Sequence, residues 1–150
     1  VISFLGKVGH IMKKVKKIIK YWGPPVLWAG VIFLFSTLSQ IKTTQIYWQD
    51  FILKKSAHMV EYGILAILLY RSFINSNNSK VRSLVYSFIL TIIYAATDEI
   101  HQTYTPGREP RVRDVLFDTL GASLALYWIK EILPKAGDRI KYYARKLEII

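Results

Sequence analysis

The sequence predicts an all-α integral membrane protein, a four-helix bundle with amphipathic basic helices at both termini. Three observations predict it. The 150 residues are 52% hydrophobic yet carry a formal net charge of +11, a pairing that membrane proteins reach by gathering lysine and arginine in their aqueous loops. Residues 21–41 hold no charged side chain and are long enough to cross a bilayer as one helix. Three further runs are apolar on every side, where a soluble bundle would show a single stripe. A chain of this length is one domain at most. It divides into an interfacial helix over 1–20, a four-span membrane domain over 21–133 and a cytoplasmic helix over 134–150. There is no cysteine, which excludes disulfides and thiolate metal sites. No motif interleaves aromatic and basic residues as a nucleic-acid site would, so the basic excess points to anionic lipid head groups.

The elements follow in order. "HIMKKVKKIIK" sets Ile11, Met12, Val15, Ile18 and Ile19 on one helical face and lysines on the other, the pattern of a helix lying on an anionic leaflet. Span one opens with Pro24-Pro25, where missing N–H groups do least harm. No small-residue cleavage site clearly follows, so it reads as an anchor rather than a signal peptide. Span two runs over 55–74, between Lys54/Lys55 and Arg71. "NSNNSK" makes a polar turn. Span three covers 83–97 and extends to about residue 102. Span four covers 115–129, interrupted by Asp118. "DRIKYYARKLEII" brings Ile140, Tyr143, Ala144 and Leu147 together, either as a second surface helix or as a solvated helix end. Tyr21, Trp22, Trp48, Tyr127 and Trp128 fit an aromatic belt.

Four spans put both termini on one side. The two termini and the 71–82 connection carry fifteen of the lysines and arginines, against six in the other two connections. The asymmetry places both termini in the cytoplasm of a multi-pass cell-membrane protein. The polar residues then converge. Lys55, His58, Glu61 and Tyr62 share one side of span two, at spacings of three and four. Tyr94, Asp98, His101 and Gln102 share a face at the end of span three, with Glu99 beside Gln102. Asp114 and Asp118 stand four apart at the start of span four. All three span ends lie on the outer side, and ionisable groups within spans are costly enough to imply a partner or a watery cavity. Asp114 also suits a helix N-cap, Lys54/Lys55 suit flanking anchors, and His58 could be a lone satisfied histidine. The Pro-Gly of "YTPGRE" reads as a turn that aims Arg108 at the cluster.

These residues carry a resemblance. Over roughly residues 30–128 the chain resembles the VanZ-like membrane protein family. The resemblance rests on "FSTLSQ", on "KSAHMVEY" with His58 and Tyr62, and on "DEIHQTYTPGREPRVRDVLFDTLGA". The last supplies Glu99 and Gln102, then Arg108, then Asp114, Asp118 and Gly121. Many members of the family carry Asn where this chain has Asp118. The resemblance implies a bacterial membrane protein working near the cell envelope, in a family named from a glycopeptide-resistance gene associated with lowered teicoplanin susceptibility. It implies no particular reaction.

Three readings of the cluster remain. The first is an enzyme acting on a lipid-linked or lipid head-group substrate. Crowded carboxylates and a histidine can divide acid and base roles: Glu99 or Asp98 as base, His58 as acid or orienter. Arg108 clamps an anion, and Arg111, Gln102, Glu61, Tyr62, Asp114 and Asp118 line the substrate site. The second is a non-catalytic binder of an anionic lipid or a drug. The third is a polar network that fixes packing. Oxygen ligands from Glu61, Asp98, Glu99, Asp114 and Asp118 would suit calcium or magnesium, but their spacing matches no established site, so no metal is assigned. Membrane lipids, anionic ones included, are the expected partners. The sequence assigns no cofactor, substrate or oligomeric state.

Overall fold

The Pro24-Pro25 pair falls inside a helix, not ahead of one. In the computed structural model, which describes residues 2–38, 47–104 and 112–150, α1 runs unbroken over Ile2–Leu38. It is followed by α2 (Tyr47–Ile74), α3 (Lys80–Gln102) and α4 (Val112–Tyr127). A π turn (Trp128–Ile132) and a 3₁₀ turn (Leu133–Lys135) then lead to α5 (Asp138–Lys146). The basic segment expected as a separate interfacial helix is thus continuous with span one. Without N–H groups, the two prolines leave the carbonyls of Lys20 and Tyr21 without their helical donors. The end of α2 supplies both: Arg71 Nη1 donates to the Lys20 carbonyl at 3.3 Å and Ser72 Oγ to the Tyr21 carbonyl at 2.6 Å. The pair is tolerated inside the helix because a neighbouring helix satisfies the acceptors it frees.

The four long helices alternate in direction. One end of the bundle gathers Tyr21, Arg71, the 75–79 turn and α5; the other gathers Ser36, Lys55, Gln102 and Asp114. Asn77 takes a left-handed conformation in the turn (φ 66°), which asparagine tolerates. Ser79 then caps α3, its side chain accepting from the Arg82 N–H. Both α2 and α3 pack against every other long helix. The α2–α4 crossing is set by glycine. A Cβ on Gly121 would run into the Met59 backbone, and one on Gly63 would lie 3.3 Å from the Gly121 carbonyl oxygen. Small residues let helices approach closely where packing, not water, drives association. This contact draws together the turns of α2 and α4 just beyond it, which carry the polar residues.

The interior holds small hydroxyl residues beside its apolar core, and the exterior is apolar where a soluble bundle would be polar. Ser36, Ser72, Ser83, Ser87 and Thr91 are fully buried, while Val26, Leu27, Leu34, Val81 and Leu116 are 61–73% exposed. The Ser87 and Thr91 hydroxyls donate to the carbonyls of Ser83 and Ser87, one turn back, so they satisfy themselves within α3. Large apolar groups facing outward match a hydrocarbon surround. Among the described residues three helical stretches, Gly9–Thr37, Phe51–Ile74 and Lys80–Gln102, are long and apolar enough to cross a membrane. Regular α4 ends at Tyr127, short of that length, before the chain passes through the π turn. The C-terminal helix divides the face expected of it: Ala144 is buried in the core with Leu133 and Ile149, while Ile140, Tyr143 and Leu147 stay exposed.

Candidate functional site

Helical spacing in α2 puts Lys55, His58 and Glu61 in one row, each three residues from the next. The row faces α4, where Asp114 and Asp118 are one turn apart. Lys55 Nζ meets Asp114 Oδ2 at 2.5 Å. His58 Nδ1 lies 3.8 Å from Asp118 Oδ1 and 3.9 Å from Glu61 Oε2. Asp114 occupies the first turn of α4, where the helix dipole favours an acid, and Arg113 Nε approaches its other oxygen at 3.8 Å. The side chains of Lys55, His58, Glu61 and Asp114 are 14–19% exposed, so this row is sheltered but open at its edge.

A second group lies deeper. Tyr62 donates its hydroxyl to Asp98 Oδ2 at 3.3 Å, and Gln102 Nε2 donates to the same oxygen at 2.8 Å. Gln102 Nε2 also reaches Ser36 Oγ of α1 at 2.5 Å. Tyr62, Asp98, Gln102 and Ser36 are all 4% exposed or less. This chain of polar groups joins α1, α2 and α3 within the bundle. The two groups touch through His58 and Tyr62, whose rings lie nearly parallel with centroids 6.4 Å apart. Glu99 is buried on α3. Trp28 and Tyr94 hold α1 in place, donating to the Glu61 carbonyl at 2.9 Å and from Tyr94 to the Ala29 carbonyl at 2.5 Å.

The structure therefore brings His58, Glu61, Asp114 and Asp118 into one constellation and Tyr62, Asp98 and Gln102 into another that abuts it. Arg108 and Arg111 lie outside the described residues. His101, which shares a face with Asp98 by periodicity, packs its ring on Phe33 of α1 at 4.3 Å and lines the α1–α3 seam. One participant went unassigned in the sequence. Ser36 sits in "FSTLSQ", and that resemblance was the only signal for it. Lys55, placed by the sequence both in the polar row and among the flanking anchors, turns inward to an acid. Among the described residues no group of three or more acids and histidines is arranged to hold a metal ion. Among the described residues acids outnumber bases here: Glu61, Asp98, Glu99, Asp114 and Asp118 against Lys55, His58 and Arg113. A cluster of that composition can hold and move protons and accept hydrogen bonds from a polar head group. The VanZ/LLP1 family profile matches residues 10–133. No curated protein and no solved structure matches the chain.

Proposed function

The chain belongs to the VanZ/LLP1 family of membrane proteins, and from that premise we propose a four-span protein, both termini cytoplasmic, whose outer cluster performs acid–base chemistry on a lipid-linked or other cell-envelope substrate. The observation that carries this reading is His58 flanked by Asp118 and Glu61 at the partly open edge of the cluster. A histidine between two carboxyls is oriented and can trade a proton with bound substrate. Glu99 serves as base and His58 as acid. Lys55 and Asp114 form the rim, and Arg108 and Arg111 on the outer hairpin clamp an anionic group. Asp98, buried and bonded to Tyr62 and Gln102, acts as a positioning residue that fixes α2 against α3.

The topology has its own support. The 16 residues of α4 and the five of the π turn rise about 30 Å, the thickness of a hydrocarbon core. With α1, α2 and α3 they make an even number of crossings, and the lysine and arginine excess marks the terminal side as cytoplasmic. The test is turnover. The protein in nanodiscs is incubated with an isotope-labelled envelope-lipid extract, and products are read by mass spectrometry. Wild type is expected to change a head group that the His58→Gln variant leaves intact. Retention of a lipid or of a glycopeptide antibiotic by both, without conversion, would replace the enzyme by a binder that sequesters its ligand.

A further inference from the structure

The two basic ends of the chain meet. Residues 9–20 of α1 are exposed throughout, and Ile11, Val15 and Ile19 are 46–64% exposed along one stripe. Lys13, Lys14, Lys16 and Lys17 intervene, and no acid occurs before Asp50. Ile140 and Tyr143 of α5 and Leu147 at its C-cap are also exposed, next to Arg139, Arg145 and Lys146. The link between these surfaces is Glu148. Its carboxylate accepts from Lys20 Nζ at 2.5 Å, Arg71 Nη2 at 2.8 Å and the Tyr21 hydroxyl at 3.2 Å. Its carbonyl accepts from Asn75 Nδ2 at 2.9 Å, and Arg71 Nε donates to the Leu147 carbonyl at 2.8 Å. Glu148 adopts φ 57°, a conformation that a non-glycine residue keeps only when its surroundings hold it.

We propose that the N-terminal arm and α5 form one amphipathic basic collar that docks on an anionic lipid surface. Glu148 is the latch between its two halves, and Pro24-Pro25, inside the unbroken α1, is where docking would bend the arm toward the membrane plane, because the two prolines remove two helical hydrogen bonds there. Among the described residues the latch neutralises Lys20 and Arg71, leaving Lys13, Lys14, Lys16 and Lys17 for a partner. A second copy would bring the same positive charge and repel. The arm leaves directly from a span, so the surface in reach is the bilayer, and lysines with an apolar stripe match an anionic leaflet. The proposal needs both termini at one membrane face but not the catalytic reading.

The chain has no native cysteine, so an Ile18→Cys variant carries a single environment-sensitive fluorophore. Full-length protein is placed in nanodiscs of phosphatidylcholine, with or without phosphatidylglycerol. The label should be quenched by spin-labelled lipid in the anionic discs and by aqueous acrylamide in the neutral ones. Molar salt should reverse the difference, since screening then acts within about 3 Å. Replacing one arm lysine by Gln should lower the docking equilibrium about fivefold. In Glu148→Gln the arm should still dock, while the distance between labels at Met12 and Tyr142 broadens. Equal quenching in both discs, or loss of lipid contact only on dilution of the protein in the disc, would overturn lipid docking. An unchanged distance in Glu148→Gln would overturn the latch.

Discussion

Replacing Gly121 by alanine adds one methyl where α4 crosses α2. That Cβ would overlap the Met59 carbonyl oxygen and stand 2.7 Å from Met59 Cα and its carbonyl carbon, where ordinary contact begins at 3.4 Å. Backbone cannot rotate aside, so the helices must separate by about 1 Å, enough to forfeit much of the dispersion energy along the seam. Overpacking of this kind costs typically about 1–3 kcal/mol, and the gain of up to about 1 kcal/mol in helix propensity offsets part of it. The net expectation is a loss of about 1–2 kcal/mol. The same separation should loosen the Lys55–Asp114 and His58–Asp118 pairs just beyond the crossing. Gly30→Ala is the control, since nothing lies within 4 Å of a Cβ there, and it should be neutral or mildly stabilising. Reversible unfolding in mixed micelles with rising detergent fraction measures both. If Gly121→Ala is as stable as wild type, or less damaging than Gly30→Ala, the close crossing does not hold the site.

Tyr62→Phe removes a donor to buried Asp98 and should cost about 1–3 kcal/mol in the same unfolding assay. Ser36→Ala strips one partner from Gln102 and should cost about 1 kcal/mol. The Lys20 hydrogen bond, and then Arg71, hold the Glu148 carboxyl below its ordinary value of 4.5. Docking of the tail should therefore be full above pH 4.5 and fall as the pH drops through the lowered value; amide exchange at residues 144–149 should speed up in acid, and in Glu148→Gln be fast at every pH. Cysteines at Asn77 and Tyr104 should label from opposite sides of intact cells, with position 104 reached from outside.

Helix content and the convergence of span ends were legible because both follow from periodicity and connection order. Spacings of three and four in "KKSAHMVEY" put Lys55, His58 and Glu61 in a row, and alternating helix direction placed that row opposite Asp114 and Asp118. What periodicity could not supply was contact between distant segments. Nothing in the tail announces that Glu148 meets Tyr21, 127 residues away, or that Arg71 and Ser72 answer the carbonyls that two prolines release. For the same reason the break expected at residue 20 is no break in the helix. His101 fell at the edge of its helical face, where a shift of some tens of degrees exchanges a polar neighbour for Phe33. The division of the cluster into a buried network and a partly open row is a matter of depth, which a helical wheel does not contain.

The central claim is that division: Asp98 holds the helices and His58 serves the chemistry. The measurement is a paired one, unfolding and envelope-lipid turnover for Asp98→Ala and for His58→Gln. Asp98→Ala leaves the Tyr62 hydroxyl and Gln102 amide without their shared acceptor, and should lose about 2 kcal/mol or more of stability. His58→Gln, at the open edge, should unfold within about 1 kcal/mol of wild type while turnover disappears. Full turnover in a stable His58→Gln protein, or wild-type stability in Asp98→Ala, would contradict the account.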